Sequence, residues 1–197
     1  MHILKCKLLY LIYTFPSLLC ARFSGVFFYG QCYFAGFPYM TRKKGSTISI
    51  GKGCRFMSKS WGNLIGLNHR CILSTAEKDA KIIIGNNCSF SGVSIRCYKE
   101  IALGHNVRCG ANVLIMDGDG HPDDPRAGKS KSIHIGNNVW IGTDVRIMKG
   151  VTIGDNTLIG AGSIVTKSIP ANVIAAGNPC KIIRPLDEET IIKLENK

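Results

Sequence analysis

A run of six-residue words decides the fold of this chain: residues 135–170 read IGNNVW IGTDVR IMKGVT IGDNTL IGAGSI VTKSIP. Each word opens on an aliphatic residue, and glycine or another small residue follows in most of them. An amphipathic helix needs apolar residues about 3.6 positions apart and a half-buried strand needs them two apart, so a period of six fits neither alone. The stretch therefore indicates short internal repeats.

Six residues are enough for a short strand and a turn, so three words close one triangular coil of 18 residues. Residues 18 positions apart then stack, and the predicted pairs are Ile135 with Ile153, Ile141 with Ile159, and Ile147 with Val165. Each coil buries its apolar residues only against its neighbours, as in other repeat proteins. The Gly, Asn and Asp residues at 136–138 and 154–156 suit the corners, because they tolerate unusual backbone conformations.

A shorter interruption of the repeat lies upstream. Ile84 and Leu103 continue the six-residue phase, but they are 19 residues apart instead of 18. One residue must therefore bulge out of this coil, and the sequence places the bulge between Ser91 and Glu100.

A longer interruption holds the polar stretch MDGDGHPDDPRAGKSKS at residues 116–132. Loops that project from a rigid scaffold commonly carry binding and catalytic residues. His121 supplies an imidazole, a side chain that can accept a proton from a hydroxyl group. Asp117 and Asp119 are two residues apart, so in a local strand both would flank His121. Three cations of the loop are candidates for contact with an anionic acceptor: Arg126, Lys129 and Lys131.

Residues 1–45 differ in composition from the rest of the chain. Eleven of the 14 Phe and Tyr residues fall within the first forty positions, and no acidic residue occurs there. Apolar residues follow helical spacing at Leu8, Leu11, Ile12, Phe15, Leu18 and Leu19. Pro16 is expected to break or kink this helix.

Three roles for residues 1–45 stay open. The segment can pack as an amphipathic helix on the domain or on a neighbouring subunit. It can lie on the inner surface of a membrane, helped by Arg42, Lys43 and Lys44. A signal peptide or a true span is the third role, although the uncharged run at 8–21 has only 14 residues and a span needs about 20.

The chain is strongly basic, with 25 Lys and Arg residues against 13 Asp and Glu, a formal charge of +12. Such a charge favours anionic partners, for example a phosphorylated cofactor, a glycan or a membrane. The sequence contains no nucleic-acid-binding motif, so nucleic acid is not expected as a partner. The nine cysteines include no Cys-x-x-Cys pair and several replace small apolar residues, which indicates buried thiols in a reducing compartment such as the cytoplasm.

The repeat stops after Pro179. Pro185 precedes Asp187, which is the expected N-cap of a C-terminal helix with acidic residues in its first turn. The predicted organisation is an apolar, aromatic helical segment at 1–45, a mostly β repeat domain at 46–186 with a loop at 117–132, and a helix at 187–197.

Four stretches carry a resemblance to the hexapeptide-repeat acyltransferases, whose fold is the left-handed parallel β-helix. They are MDGDGHP at 116–122, IGNNVWIG at 135–142, VTIGDNTLIGAGSIVTKSIP at 151–170, and AAGNPCKIIR at 175–184. The chain is most similar to the galactoside, maltose and polysaccharide O-acetyltransferase branch, from about Ile82 to Leu186. The hand of the coil comes from this resemblance, because a left-handed crossover is an exception to the general rule.

The resemblance implies a homotrimer with its active sites between neighbouring subunits and acetyl-CoA as the acetyl donor. His121 matches the catalytic histidine of the family, the general base that takes the proton of the acceptor hydroxyl. The backbone N–H of Thr143 matches the donor that stabilises the tetrahedral oxyanion. The residues that match the acetyl-CoA groove are Trp140, Thr143, Ala161, Thr166, Lys167, Lys181 and Arg184.

The candidate acceptor-binding residues are Ser91, Asp117, Asp119 and Arg126. No metal is expected, because the metal site that also occurs on this fold needs a His-x4-His pair and the sequence has none. His105 and His134 fall beside strand positions and are expected to be surface residues.

The sequence thus predicts an enzyme that transfers acetyl from acetyl-CoA to a sugar or polysaccharide hydroxyl. One alternative is N-acetylation of a nucleotide-linked amino sugar, which a nucleotide in the best acceptor would reveal. The other is a non-catalytic trimeric scaffold held at the membrane by residues 1–45, which would not bind CoA.

Overall fold

The computed structural model describes residues 2–121 and 123–196, with side chains from residue 12 onward. The chain is mostly β, with a helix near each end: α1 (His2–Phe23) and α2 (Glu188–Glu195). A single 3-10 turn, Ser60–Gly62, is found among these residues. None of the described helices has the length and apolarity needed to cross a membrane. Lys197, the last residue of the predicted C-terminal helix, lies outside the described residues.

Twenty strands, most of them two to four residues long, make up the body of the described chain. They are β1 (Phe27–Phe28), β2 (Tyr33–Ala35), β3 (Tyr39–Thr41), β4 (Thr47–Ile50), β5 (Arg55–Met57), β6 (Ile72–Thr75), β7 (Lys81–Ile84), β8 (Ser89–Ser91), β9 (Ser94–Cys97), β10 (Glu100–Leu103), β11 (Arg108–Ala111), β12 (Leu114–Met116), β13 (Ile133–Ile135), β14 (Trp140–Ile141), β15 (Arg146–Ile147), β16 (Thr152–Ile153), β17 (Leu158–Ile159), β18 (Ile164–Val165), β19 (Val173–Ala176) and β20 (Lys181–Pro185).

Successive strands join three sheets in turn, so each coil adds one strand to each face of a triangular prism. Sheet A has the order β1-β4-β7-β10-β13-β16, sheet B has β2-β5-β8-β11-β14-β17-β19-β20, and sheet C has β3-β6-β9-β12-β15-β18. Consecutive coils pair in parallel, and the last pair, β19 with β20, is antiparallel. The predicted left-handed parallel β-helix is confirmed.

The predicted stacking of residues 18 positions apart is also confirmed. The ladders pair Ile135 with Ile153, Ile141 with Ile159, and Ile147 with Val165. All six side chains are buried inside the prism. Burial of one such aliphatic side chain contributes about 1.5–3 kcal/mol relative to exposure. This column of stacked aliphatic side chains is therefore a main source of stability.

Aromatic rings fill the interior at the N-terminal end of the prism. Phe34 stacks on Phe56, and Phe56 stacks on Phe90, with ring centroids 5.2 and 5.1 Å apart. The three residues occupy equivalent places in consecutive coils of sheet B. The wider aromatic column therefore continues the aliphatic column of the later coils.

A column of cysteines runs beside these rings. Cys32, Cys54 and Cys88 each donate a thiol hydrogen bond to a glycine carbonyl of the next coil, at 3.2–3.3 Å. All the cysteines with described side chains are free, and all but Cys20 are buried. The prediction of buried thiols is confirmed for these residues, and their S–H groups satisfy backbone carbonyls between coils.

A ladder of asparagine side chains holds the corner between sheets A and B. Asn106 donates to Asn138 at 2.9 Å, Asn138 to Asn156 at 3.0 Å, and Asn156 to Asn172 at 2.9 Å. The four residues have φ between 55° and 60°, in the left-handed region that asparagine tolerates better than most residues. The predicted use of asparagine at the corners is thus confirmed at Asn138 and Asn156.

The β-helix begins about twenty residues earlier than the predicted boundary at residue 45. Strands β1, β2 and β3 already form a complete coil, which pairs with β4, β5 and β6. The aromatic residues at 27–41 alternate between the interior, as at Phe34, and the surface, as at Tyr33. Strand periodicity therefore applies there, and the helical segment ends at Phe23.

Helix α1 covers the open end of the prism. It continues through Pro16, where a break was one of the expected outcomes. Ser17 and Ala21 are buried on the side that faces the first coil, and this packing keeps the helix continuous. Thr14 Oγ1 accepts a hydrogen bond from the backbone N–H of Phe34 on the edge strand β2 at 3.2 Å.

The C-terminal helix follows its predicted start. Asp187 is the N-cap of α2 and accepts a hydrogen bond from the backbone N–H of Thr190 at 2.8 Å. This bond lowers the pKa of the Asp187 carboxyl group.

We predict that Asn156→Ala lowers the free energy of unfolding by about 2–3 kcal/mol, because alanine loses the ladder and is strained at positive φ. Asn156→Gly removes the same amide but accepts the backbone conformation, so it should cost about 1 kcal/mol less than alanine. Urea denaturation measures both. Equal losses for the two variants would contradict the role of the left-handed backbone.

Candidate active site

The loop at 117–132 leaves the prism after β12 and returns at β13, at the corner between sheets C and A. It folds over this corner and borders an open cavity of about 420 Å³. The polar residues that line the cavity are Glu77, Tyr98, Asp119, His121, Asp124, Lys129 and Ser130. The structure therefore places the predicted catalytic histidine in a polar cavity.

Asp117 anchors the start of the loop from inside the protein. Its side chain is fully buried, and its carboxylate accepts the backbone N–H groups of Tyr98, Lys99 and Glu100 at 2.6, 2.8 and 2.8 Å. Its backbone carbonyl accepts the N–H of Lys131 at 2.9 Å, which closes the base of the loop. A carboxylate with three N–H donors is well compensated for its burial.

The backbone amides that Asp117 binds belong to the bulged coil. Ile95 and Leu103 are inward residues of successive strands and lie eight residues apart, against six for Ile147 and Ile153. The corner between β9 and β10 is therefore longer than usual, within the range predicted for the bulge. The Asp117 carboxylate fills this widened corner.

Tyr98 projects from the widened corner against the start of the loop. A side chain on Gly118 would meet the Tyr98 ring at 2.8 Å, and one on Gly120, whose φ is +77°, would meet the Tyr98 hydroxyl at 2.7 Å. Arg96 holds the other side of the ring, with its guanidinium carbon 5.4 Å from the centroid. The two glycines thus allow the backbone before His121 to lie directly on Tyr98.

Lys149 ties the two arms of the loop together. Lys149 follows β15, and its ammonium group contacts both the carboxylate of Asp119 and the backbone carbonyl of Ala127. Asp119 is therefore oriented at the cavity wall, with its carboxylate one-third exposed.

Asp124 and Arg126 form an exposed pair at the tip of the loop, 2.7 Å apart. The Arg126 guanidinium lowers the pKa of the Asp124 carboxyl group. The Arg126 side chain is 89% exposed, and an exposed pair of this kind contributes little to stability.

The residues predicted to bind acetyl-CoA are exposed or half-exposed, but one chain divides them between two places. Thr143 follows β14 and lies at the corner between sheets B and C, where its carbonyl accepts the N–H of Gly162 from the next coil at 2.8 Å. Ala161 lies beside Thr143 at this corner. Trp140 and Arg184 lie in one row on the outer face of sheet B, joined by the pairs Trp140–Leu158, Leu158–Ile174 and Ile174–Arg184.

The second group lies at the corner between sheets C and A. Thr166 and Lys167 follow β18 there, on the same edge of the prism as the loop of His121. Sheet C separates this edge from Thr143. One chain therefore presents two half-sites, and it does not bring His121 and the Thr143 amide together.

Two acceptor predictions are wrong. Asp117 does not flank His121, because its carboxylate points into the protein and is used by three backbone amides. Ser91 is also buried, and its hydroxyl donates to the sulfur of Met57 at 3.6 Å, so no acceptor can reach it. Arg126 does not line the cavity: its side chain extends into solvent and pairs with Asp124, which lines the cavity as Asp119 does.

Sequence reasoning missed Glu77, Tyr98 and Lys149. Glu77 and Tyr98 come from the corners of two earlier coils, directly below the loop. The 19-residue step of the coil was the available signal for Tyr98, because surplus residues in a coil must protrude at a corner. Glu77 and Lys149 carry no local mark in the sequence.

The fold is a parallel β-helix of six-residue repeats, and a loop histidine lies at a cavity on one of its corners. This combination is typical of a class of repeat-containing transferases. Residues 132–167 match the family described as bacterial transferase hexapeptide (six repeats). The chain is 50% identical over 93 residues to galactoside O-acetyltransferase of Escherichia coli (strain K12), which covers 45% of this chain and 45% of that protein.

Solved structures give the same result. A galactoside acetyltransferase in complex with coenzyme A has 35% sequence identity and a TM-score of 0.51, with 71% of this chain and 66% of that chain covered. AntD, an N-acyltransferase from Bacillus cereus in complex with dTDP and 3-hydroxybutyryl-CoA, has a TM-score of 0.69 over 93% of this chain and 95% of that chain. Its identity is 20%, so this likeness shows the fold alone.

The chain belongs to the hexapeptide-repeat transferase family. The matched stretches cover 45% and 52% of the length of two curated relatives, so the chain spans about half of each.

We predict that Asp117→Asn lowers the free energy of unfolding by about 2–4 kcal/mol, because an amide NH₂ cannot accept the three buried N–H groups. Asp119→Asn is the matched control. It removes a carboxylate that is partly exposed and should cost less than about 1 kcal/mol. Urea denaturation distinguishes them, and equal small losses would show that the corner does not depend on Asp117.

Proposed function

We propose that this protein is an acetyltransferase that moves the acetyl group of acetyl-CoA to a hydroxyl of a sugar or polysaccharide. The observation that carries the proposal is the position of His121 in a polar cavity that the loop closes over the coil. A sugar presents many hydroxyl groups, and the cavity offers carboxylate, phenol and ammonium partners for them. A galactoside acetyltransferase that matches 71% of this chain was solved in complex with coenzyme A.

The reaction needs a base and a donor for the developing oxyanion. The imidazole of His121 removes the proton of the acceptor hydroxyl while its oxygen attacks the thioester carbon. The backbone N–H of Thr143 stabilises the negative charge on the tetrahedral intermediate. The C–S bond then breaks, the ester of the sugar forms, and the proton held by His121 passes to the CoA thiolate.

Three cations are proposed to hold the phosphates of CoA. Lys167, Lys181 and Arg184 are all exposed, and none of them forms an ion pair among the described residues. The exposed ring of Trp140, in the same row of sheet B as Arg184, would wall the pantetheine arm, with Ala161 and Thr166 along the groove. Exposed cations are suited to a phosphorylated cofactor.

We propose a homotrimer as the active form, located in the cytoplasm. The half-sites on the two edges of sheet C support this proposal, because His121 needs the Thr143 corner of a neighbouring copy to complete the reaction geometry. The free cysteines suit a reducing compartment.

The acceptor is proposed to lie in the cavity beside His121, with Asp119, Glu77 and Tyr98 as its hydrogen-bonding partners. Asp119 is fixed by Lys149, so its carboxylate is preorganised toward the acceptor. Tyr98 is fixed by Arg96 and by the glycines of the loop.

His121→Ala should lower kcat by roughly 10²–10⁴, the usual scale for a lost general base, while the affinity for CoA stays near normal. The matched control is His134→Ala, which removes an exposed histidine outside the cavity and should leave kcat unchanged. Release of CoA thiol from acetyl-CoA measures both. Wild-type turnover by His121→Ala would remove His121 from the mechanism.

Arg184→Ala should raise the KM for acetyl-CoA by about 10–100-fold with little change in kcat, because a charged contact to a phosphate is present in both the ground state and the transition state. Lys193→Ala, an exposed cation on α2, is the control and should not change KM. A fall in kcat without a change in KM would contradict the phosphate role.

The acceptor class is tested with a panel of sugars, oligosaccharides and nucleotide sugars in the same thiol assay. Release that depends on a sugar hydroxyl and on His121 supports the proposal. A strict requirement for a nucleotide-linked amino sugar would favour N-acetylation instead. Absence of both thiol release and a CoA-induced thermal shift would favour the non-catalytic scaffold.

A further inference from the structure

The net charge of the chain is concentrated at one end. Residues 1–76 contain ten Lys and Arg residues and no Asp or Glu, whereas residues 77–197 contain 15 basic and 13 acidic residues. The first 76 residues form α1 and the first two coils. Ten of the twelve net positive charges therefore lie at the N-terminal end of the prism.

The part of helix α1 with described side chains, from Ile12 to Phe23, is largely apolar on both sides. One side packs on the first coil through the buried Ser17 and Ala21. The other side exposes a stripe of apolar side chains at helical spacing. We call this stripe, with the exposed Arg22 that lies within it, the cap face. The stripe consists of Ile12, Phe15, Leu19 and Phe23, which are 55%, 73%, 46% and 85% exposed. A helix that is apolar all round is normally covered on every side.

The cap face continues onto the first coil. A groove of about 320 Å³ runs between α1 and β1, lined by Phe15, Leu19 and Arg22 from the helix and by Phe28 from the strand. Phe27 and Tyr29 beside it are 56% and 77% exposed. Aromatic and aliphatic side chains mixed with arginine are typical of surfaces that enter the headgroup region of a bilayer.

Charge decides between the candidate occupants. Lys43 and Lys44 are exposed in the loop after β3, and Arg22 lies within the cap face. A second copy packed cap to cap would bring two strongly positive ends together, which like-charge repulsion disfavours. An anionic lipid surface complements both the charge and the exposed apolar stripe.

We propose that the cap face binds the surface of a bilayer that contains anionic lipids, with α1 lying in the plane of the interface. This inference goes beyond the proposed acetyl transfer and does not depend on it, because vesicle binding is measured without CoA or acceptor. The apolar stripe enters the interface, and the surrounding lysine and arginine residues contact the lipid phosphates.

The test is flotation of the 197-residue chain with vesicles of phosphatidylcholine alone or mixed with phosphatidylglycerol, at low and high salt. Wild type should bind the mixed vesicles and release them as salt rises, because screening shortens the range of the attraction. The double variant Phe15→Ser, Leu19→Ser should bind about tenfold more weakly or worse. Ile192→Ser, with a similarly exposed side chain on α2, is the matched control and should bind like wild type.

The charge contribution is tested with Lys43→Glu, Lys44→Glu, which should weaken binding by about tenfold or more. Lys193→Glu on α2 is its control and should have no effect. Circular dichroism confirms that each variant is folded. Acetyl transfer to a water-soluble acceptor is assayed separately, so failure of the enzyme proposal leaves this result unaffected.

Three outcomes would overturn the proposal. One is that wild type fails to bind anionic vesicles at low salt, and another is that it binds phosphatidylcholine vesicles equally well. The third is that the Phe15→Ser, Leu19→Ser variant retains full vesicle binding. If that variant instead changed the oligomeric state in solution without weakening vesicle binding, a second copy of the chain would be the occupant of the cap face.

Discussion

Coil-on-coil pairing is the constraint on which the rest of the structure depends. Each coil must align three strands with the coil below, so extra residues can be accommodated only at the corners between sheets. The excursion at 117–132, the shorter one at 58–71 and the widened corner after β9 all obey this rule. Most strand pairs keep an unbroken register, with a shift between β8 and β11, and the loop of His121 lies at an edge of the prism.

The Asp117 carboxylate joins two of these corner insertions into one unit. Its three amide partners belong to the widened corner, and its backbone begins the loop of His121. Tyr98 comes from the widened corner after β9, and Lys149 holds the loop at 117–132. The cavity wall is therefore set by residues of three coils. Asp117 is therefore a positioning residue for the cavity, although its buried side chain is not part of the cavity lining.

Much of the fold was predictable from the sequence, because the period of six is unique to this kind of coil and directly gives the stacked pairs such as Ile135 on Ile153. The site was predictable only in part. His121 stands in a recognisable word, but whether Asp117 points inward depends on free amides one coil earlier in the sequence. The start of the prism was missed because aromatic residues dominate 27–41 and the Ile-Gly words of the later coils are absent there.

Parallel β-helices carry an inherent hazard, since every open end exposes three strand edges that could template another molecule. Here the first edge is covered by α1, which even supplies Thr14 as an acceptor for the edge N–H of Phe34. At the other end β20 reverses direction along β19 and terminates sheet B with a strand that a parallel coil cannot extend. Sheet B is therefore blocked at both ends against pairing with a further parallel coil.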